Sequence, residues 1–274
     1  MKGSLSERIL YLLLSVGRKL RDICPKLFGR KMNTILAIIA FCGFIALSCF
    51  ILILCQTGIL IGHPAMDLTA YENGDRTINK VALTFDDGPN PFWTRKVLDV
   101  LDAKNVKATF FVLGKWAEKH PEIVKETFKR GDLIGNHSYS HPNKGCGDFK
   151  QSEKIIFGII HEHTKFIRPP HNIVALCECY EPAVNGEVKI VNNDVIPQDW
   201  QSQSDEIIKR IEEKTQNGSI ILLHDSSQRE GELENRPSEM FKSLPVIIDK
   251  LKERFEIVRL DELIQKVEQV RLKK

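Results

Sequence analysis

Cysteine is scarce in this chain. Seven occur in 274 residues, and four of them (Cys24, Cys42, Cys49 and Cys55) fall early. Cys146, Cys177 and Cys179 are all that remain beyond, too few for a disulfide framework and without the paired spacing of a cysteine zinc site. Cys177 and Cys179 are too close for an easy bridge to each other. Either could pair with Cys146, and free thiols are an equal alternative. Internal repeats and low-complexity linkers are also absent, which excludes a solenoid or an array of modules.

A basic excess is missing from the bulk of the chain. Residues 1–33 hold eight Lys/Arg against two Asp/Glu, whereas beyond residue 61 there are 31 basic against 34 acidic residues. The larger part is slightly acidic, so charge gives no argument for a nucleic-acid partner. Oligomeric state is not legible. Charge is missing altogether from residues 34–61, whose centre, residues 35–55, is almost wholly apolar. That exceeds the roughly 20 residues a bilayer-spanning helix needs. Arg30 and Lys31 precede it and Asp67 and Glu72 follow, so the expected topology is N-terminus cytoplasmic and the remainder outside. A cleaved signal peptide has a shorter apolar run, so an uncleaved anchor at the cell membrane is expected. The expected organisation is a cytoplasmic basic segment over 1–33, a transmembrane signal anchor over 34–61, a tether and lead-in over 62–79 and a catalytic domain over 80–274.

What is present after residue 80 is alternation. Short apolar runs predict strands over 81–85, 108–113, 133–136, 165–168, 188–191, 219–223 and 256–260. Between them, amphipathic stretches predict helices over 91–104, 121–130, 151–161, 204–216 and 237–254. Strands separated by helices imply parallel βα units, and seven of them suggest an irregular or incomplete (β/α) barrel, an α/β fold. In such folds the active site lies at the C-terminal ends of the strands.

Polar clusters stand at those ends. VALTFDDGPN delivers Asp86 and Asp87 side by side at a Gly-Pro turn. Adjacent carboxylates repel unless a metal ion or an arginine neutralises them. NHSYSH places His137 and His141 four residues apart, able to face one way, and two histidines with one carboxylate suit a zinc-type centre with open positions. FIRPPHN sets Arg168 before two stiffening prolines, where a fixed guanidinium can hold an aspartate ionised. Gln198-Asp199-Trp200 and the run ILLHD with His224 complete the set. Taken alone, His224 reads as a satisfied core histidine before it reads as a general acid. His120, His161 and His163 read as surface residues, Trp116 as core or rim, and Trp93 as either a sugar-stacking ring or a helix-start packing group.

In this order the five clusters resemble the polysaccharide deacetylase family, the family 4 carbohydrate esterases with a NodB homology domain, over about residues 80–263. The resemblance implies Asp86 as general base and Asp87, His137 and His141 as ligands of a divalent metal, usually zinc and sometimes cobalt or another ion. It implies Arg168 and Asp199 as supports of Asp86 and His224, and His224 as the acid that protonates the leaving amine. Pro170, His171, Trp200 and Leu222 would meet the substrate. The expected reaction is removal of N-acetyl groups from N-acetylglucosamine-type residues of a wall polymer, peptidoglycan first. Chitooligosaccharide deacetylation or O-acetyl ester hydrolysis is the alternative, and a non-catalytic glycan binder on the same fold is a reading of another class. Two positions depart from the family pattern. His171-Asn172 replace the usual Tyr-Gly, and Ile196 replaces an aspartate three residues before Asp199.

Overall fold

A computed structural model describes residues 68–227 and 238–264, apart from the isolated Gly43. Residues 34–61 expected to span the membrane lie outside them. Among the described residues no helix is long and apolar enough to cross a membrane.

Seven parallel strands build a curled half-barrel: β1 (Lys80–Asp86), β2 (Thr109–Val112), β3 (Leu133–Asn136), β4 (Phe166–Ile167), β5 (Lys189–Ile190), β6 (Ile220–His224) and β7 (Glu256–Ile257). The order is β5-β4-β3-β2-β1-β6, with β7 paired to the first two residues of β1. Beyond β5 the chain runs round to the other edge, where Val195 bridges Ile221. Tyr71 bridges Val191 and Asn73 bridges Ser219 as well, so isolated bridges rather than a further strand join the two edges.

Period-two alternation sorts the sheet residues into two layers. Val81, Leu83 and Phe85 face outward into the main core, under Val97, Leu98 and Leu101 of α1 (Trp93–Ala103) and Leu244, Ile247, Ile248 and Leu251 of α7 (Ser238–Lys252). The i, i+3, i+4 spacing of those helix residues produces the buried stripe. Phe85 stacks on Phe110 of β2 with ring centres 5.0 Å apart. Ala82, Phe111, Phe166, Val191 and Ile220 form a second cluster on the other side. Thr84 and Asp86 share the parity of Ala82, so the strand brings a hydroxyl and then a carboxylate onto its inner face.

The other helices among residues 68–264 that are described are α2 (Gly114–Lys119), α3 (Pro121–Lys129), α4 (Phe149–Ile160), α5 (Glu181–Val184) and α6 (Ser204–Lys214), with two 3₁₀ segments at Pro170–Asn172 and Val174–Cys177. α2, α5 and the 3₁₀ segments are not foreseen from the sequence, because elements of three to six residues carry too few positions to show a period. The lead-in packs onto the barrel. Tyr71 bridges Val191, and Arg76 bonds Asp194 at 2.7 Å. The cysteine alternatives resolve into a Cys146–Cys179 bridge and a free, buried Cys177, whose thiol burial pushes up to about 12.

Candidate metal centre and active site

Asp86 ends β1 in register with His224 at the end of β6. Its neighbour Asp87 would face away if the strand continued. Instead Asp87 takes φ 72°, a left-handed conformation that Asp tolerates better than most residues, and turns into the Gly88-Pro89 peptide, which is cis. Both carboxylates thus reach one cleft of about 450 Å³, shared with His137, His141, Asp199 and His224.

Arg168 follows β4 and is buried, its guanidinium lying 4.2 Å over the Phe111 ring. Its Nη1 donates to Asp86 Oδ1 at 2.7 Å and to Thr84 Oγ1 at 2.8 Å, and its Nη2 donates to the Asn192 carbonyl at 3.1 Å. Burial lowers the arginine pKa, opposed by the Asp86 charge beside it. One oxygen of Asp86 is therefore fixed and the other is turned to the cleft, 3.6 Å from His137 Nε2.

Asp87, His137 and His141 each present one ligand atom, all within 4.8 Å of one another. Asp87 Oδ1 lies 3.7 Å from His137 Nε2 and 3.6 Å from His141 Nε2. Ligand atoms bound at about 2.0–2.2 Å to one tetrahedral ion lie about 3.4 Å apart, so the spacing fits a common cation. Among the described residues Asp87 Oδ1 is buried with no hydrogen-bond partner. Burial, chiefly, raises the Asp87 pKa, a cost that a bound cation relieves. His137 Nδ1 meets the Arg168 carbonyl at 2.8 Å, which sets the tautomer so that Nε2 offers its lone pair. Burial, together with His137 and His171, depresses His141 to about 2, leaving it neutral and able to ligate. The centre thus has a hard oxygen and two imidazole nitrogens, a set suited to a divalent ion.

His224 is held by Asp199 at two points. The His224 backbone N–H donates to Asp199 Oδ2 at 2.8 Å, and its ring Nδ1 lies 2.9 Å from Oδ1. Burial works against the imidazolium, but the Asp199 charge and hydrogen bond outweigh it and raise the pKa to about 9. The Trp200 ring stands edge-on to His224 at 5.3 Å and is 39% exposed. Trp200, Leu222 and Ile196 give the cleft an apolar wall.

The sequence-named residues gather here with one exception. Pro169 lines the cleft, whereas Pro170 is buried where the 3₁₀ turn begins. His171 and Asn172 both adopt left-handed φ (56° and 58°), so the glycine of the family pattern is replaced by a residue type that accepts that conformation. Asn172 donates to Asn193 Oδ1 at 3.2 Å, and the His171 ring stands edge-on to His141 at 4.6 Å. Asp194 does not substitute for the aspartate missing at Ile196. Both its oxygens are taken by Arg76, Ser219 and the Ile220 N–H. Trp93 is buried against Phe241, a packing group rather than an exposed sugar platform. Trp116 is buried and donates from Nε1 to the Ser227 carbonyl. His161 and His163 are exposed, the latter stacked on Phe157.

Sequence reasoning missed Asp225. It is buried behind the turn, accepts a hydrogen bond from Thr94 Oγ1, and leaves Oδ1 without a partner among the described residues. Burial pushes its pKa up to about 7, opposed by the Thr94 bond. A Cβ on Gly88 would come within 2.5 Å of both carboxylate oxygens, so the turn has no space for a side chain there. The signal was the aspartate directly after His224, but the contact with Gly88 that gives it meaning is not legible from spacing.

A curled parallel half-barrel with an Asp-His-His cluster at its strand ends defines a class of metal-binding α/β protein. The chain belongs to the polysaccharide deacetylase family, whose pattern it matches over residues 73–174. It is 39% identical over 174 residues to a Bacillus cereus peptidoglycan-N-acetylglucosamine deacetylase, covering 61% of this chain and 62% of the relative. A Sinorhizobium fredii chitooligosaccharide deacetylase is 34% identical over 154 residues, 53% of this chain and 71% of the relative. The alignment with Bacillus subtilis PdaC, a peptidoglycan-N-acetylmuramic acid deacetylase, reaches only 36% of that protein's length. Among solved structures, a peptidoglycan N-acetylglucosamine deacetylase in complex with 4-naphthalen-1-yl-N-oxidanyl-benzamide superposes with TM-score 0.65 at 35% identity, over 72% of this chain and 92% of that one.

Proposed function

We propose that the chain is a divalent-metal deacetylase that removes N-acetyl groups from N-acetylglucosamine-type residues of peptidoglycan. The observation that carries this reading is the facing pair in the cleft. Asp86, aimed by a buried arginine, and His224, kept protonated by Asp199, share one cleft with an Asp-His-His metal centre. A pure glycan binder needs neither a held base nor a held acid.

Asp87, His137 and His141 would hold the ion, and two imidazoles with one carboxylate favour zinc. Bound there, a divalent ion supplies Lewis acidity, polarising an amide carbonyl and acidifying water. Asp86 accepts the proton of the attacking water, because Arg168 fixes one oxygen and leaves the other free. His224 donates its proton from Nε2 to the departing nitrogen, because Nδ1 is engaged by Asp199. Trp200, Leu222 and Ile196 receive the acetyl methyl, while His171 and the turn after Pro169 border the sugar.

The named relatives support a wall polymer, and the rhizobial relative keeps chitooligosaccharides as a second substrate class. We place the domain outside the membrane, anchored by residues 34–61. The Cys146–Cys179 bridge supports this, since such bonds persist in oxidising compartments. Acetate release from peptidoglycan and chitooligomers by the metal-loaded full chain tests the activity. Equal release by wild type and Asp86→Ala would refute it. Protease accessibility of intact cells tests the topology, with the domain expected to be cut from outside.

A further inference from the structure

His141 lacks the device that orients His137. The ring of His137 is fixed by the Arg168 carbonyl, whereas His141 Nδ1 is buried with no partner among the described residues. Metal-ligating histidines are ordinarily aimed through that second nitrogen. The aim of His141 must therefore come from its backbone. That backbone is constrained: Ser138 and His141 both have left-handed φ, 71° and 63°.

Asp148 holds the loop in this shape. Its Oδ1 accepts from the Tyr139 N–H at 2.7 Å, and its Oδ2 accepts from the Ser140 N–H at 3.1 Å and the Ser140 hydroxyl at 2.6 Å. Asp148 occupies the N-cap of α4, where an aspartate ordinarily accepts from the helix's own first N–H groups. It makes no such bond here, and both oxygens point back to the loop that carries His141. Ser138 Oγ accepts from the His141 N–H at 3.2 Å. Asn136 Oδ1 accepts from Ser138 N–H at 2.9 Å.

We infer that Asp148 is a positioning residue for the metal centre, setting the affinity of the site for its ion by holding the 139–140 backbone and so the direction of His141. The inference rests on the proposed Asp87-His137-His141 centre and adds to it a carboxylate that touches neither ion nor substrate.

The test is Zn²⁺ affinity of the full chain, measured by chelator competition, with thermal unfolding in the presence of excess chelator. Asp148→Asn keeps the size and the helix-capping capacity but sets an amide donor against a backbone donor. Weakening of Zn²⁺ binding by about 10–100-fold is expected, the range for loss of groups that orient ligands. The metal-free unfolding midpoint should stay near that of the wild type. Ser140→Ala, a milder change that serves if Asp148→Asn does not fold, should weaken binding in the same direction by less. Wild-type Zn²⁺ affinity in the folded variants would overturn the inference. So would a metal-free midpoint that falls as far as the metal-bound one, which marks a purely structural role. If wild type and His137→Ala bind Zn²⁺ alike, the metal centre itself is wrong and both readings fail together.

Discussion

Asp86 and His224 occupy one rung of the sheet, paired across β1 and β6. Residues opposite each other on neighbouring strands project to the same face. The proposed base and acid are therefore held at a separation set by the sheet rather than by loops.

Neither residue belongs to the Asp87-His137-His141 cluster, so their roles can be separated from metal binding by mutation. His224→Ala should lower kcat by about 10²–10⁴-fold, the usual worth of a positioned acid or base. Its Zn²⁺ affinity should remain close to wild type. His137→Ala should lose metal and activity together. Metal content by elemental analysis alongside acetate release checks both, and loss of zinc in His224→Ala would reassign His224 as a ligand.

The pH profile should carry the mark of Asp199. Burial opposes the charged ring but Asp199 raises His224 to about 9, so the acid form is full at neutral pH and lost as pH rises through 9. The alkaline limb of kcat/KM should fall there. In Asp199→Asn that support is gone, and the limb should move down toward about 6.5, the ordinary histidine value. An unmoved limb would show that another group controls it.

Arg168 should be costly to remove. Its guanidinium is buried with the Asp86 carboxylate, 2.7 Å away. Arg168→Met leaves that carboxylate buried without its partner, a change worth about 3–5 kcal/mol of stability. Urea unfolding measures it, and a loss under about 1 kcal/mol would contradict the pairing.

The Cys146–Cys179 bridge spans 33 residues, and closing a loop of that size contributes about 3–4 kcal/mol. Cys146→Ser should lower unfolding stability by that order. Cys177→Ser, which replaces a buried thiol outside the bridge, should not reproduce the effect of adding dithiothreitol.

Much of this was legible because the chemistry sits in contiguous motifs at strand ends. TFDDGP, HSYSH and ILLHD announce their residues within a few positions, and alternation of apolar runs with amphipathic stretches gave the seven parallel strands. What escaped depends on contacts far apart in sequence. Asp225 acquires meaning only through Gly88 and Thr94, more than 130 residues upstream. Asp148 escaped for a nearer reason: its oxygens meet Tyr139 and Ser140, nine and eight residues upstream, across a loop that no periodic pattern marks. The choice between Cys177 and Cys179 as the bridge partner was equally closed to spacing alone, since both stand at similar distances from Cys146.

The left-handed turn at Asp87 has a consequence for protein design. That position is chosen twice, once for its oxygen and once for a backbone that few side chains tolerate. Glutamate would keep the charge and still be wrong on both counts, with a longer reach and a poorer fit to positive φ. Asparagine would keep the conformation and give up the charge. A transplanted centre of this kind must therefore carry its turn along with its ligands.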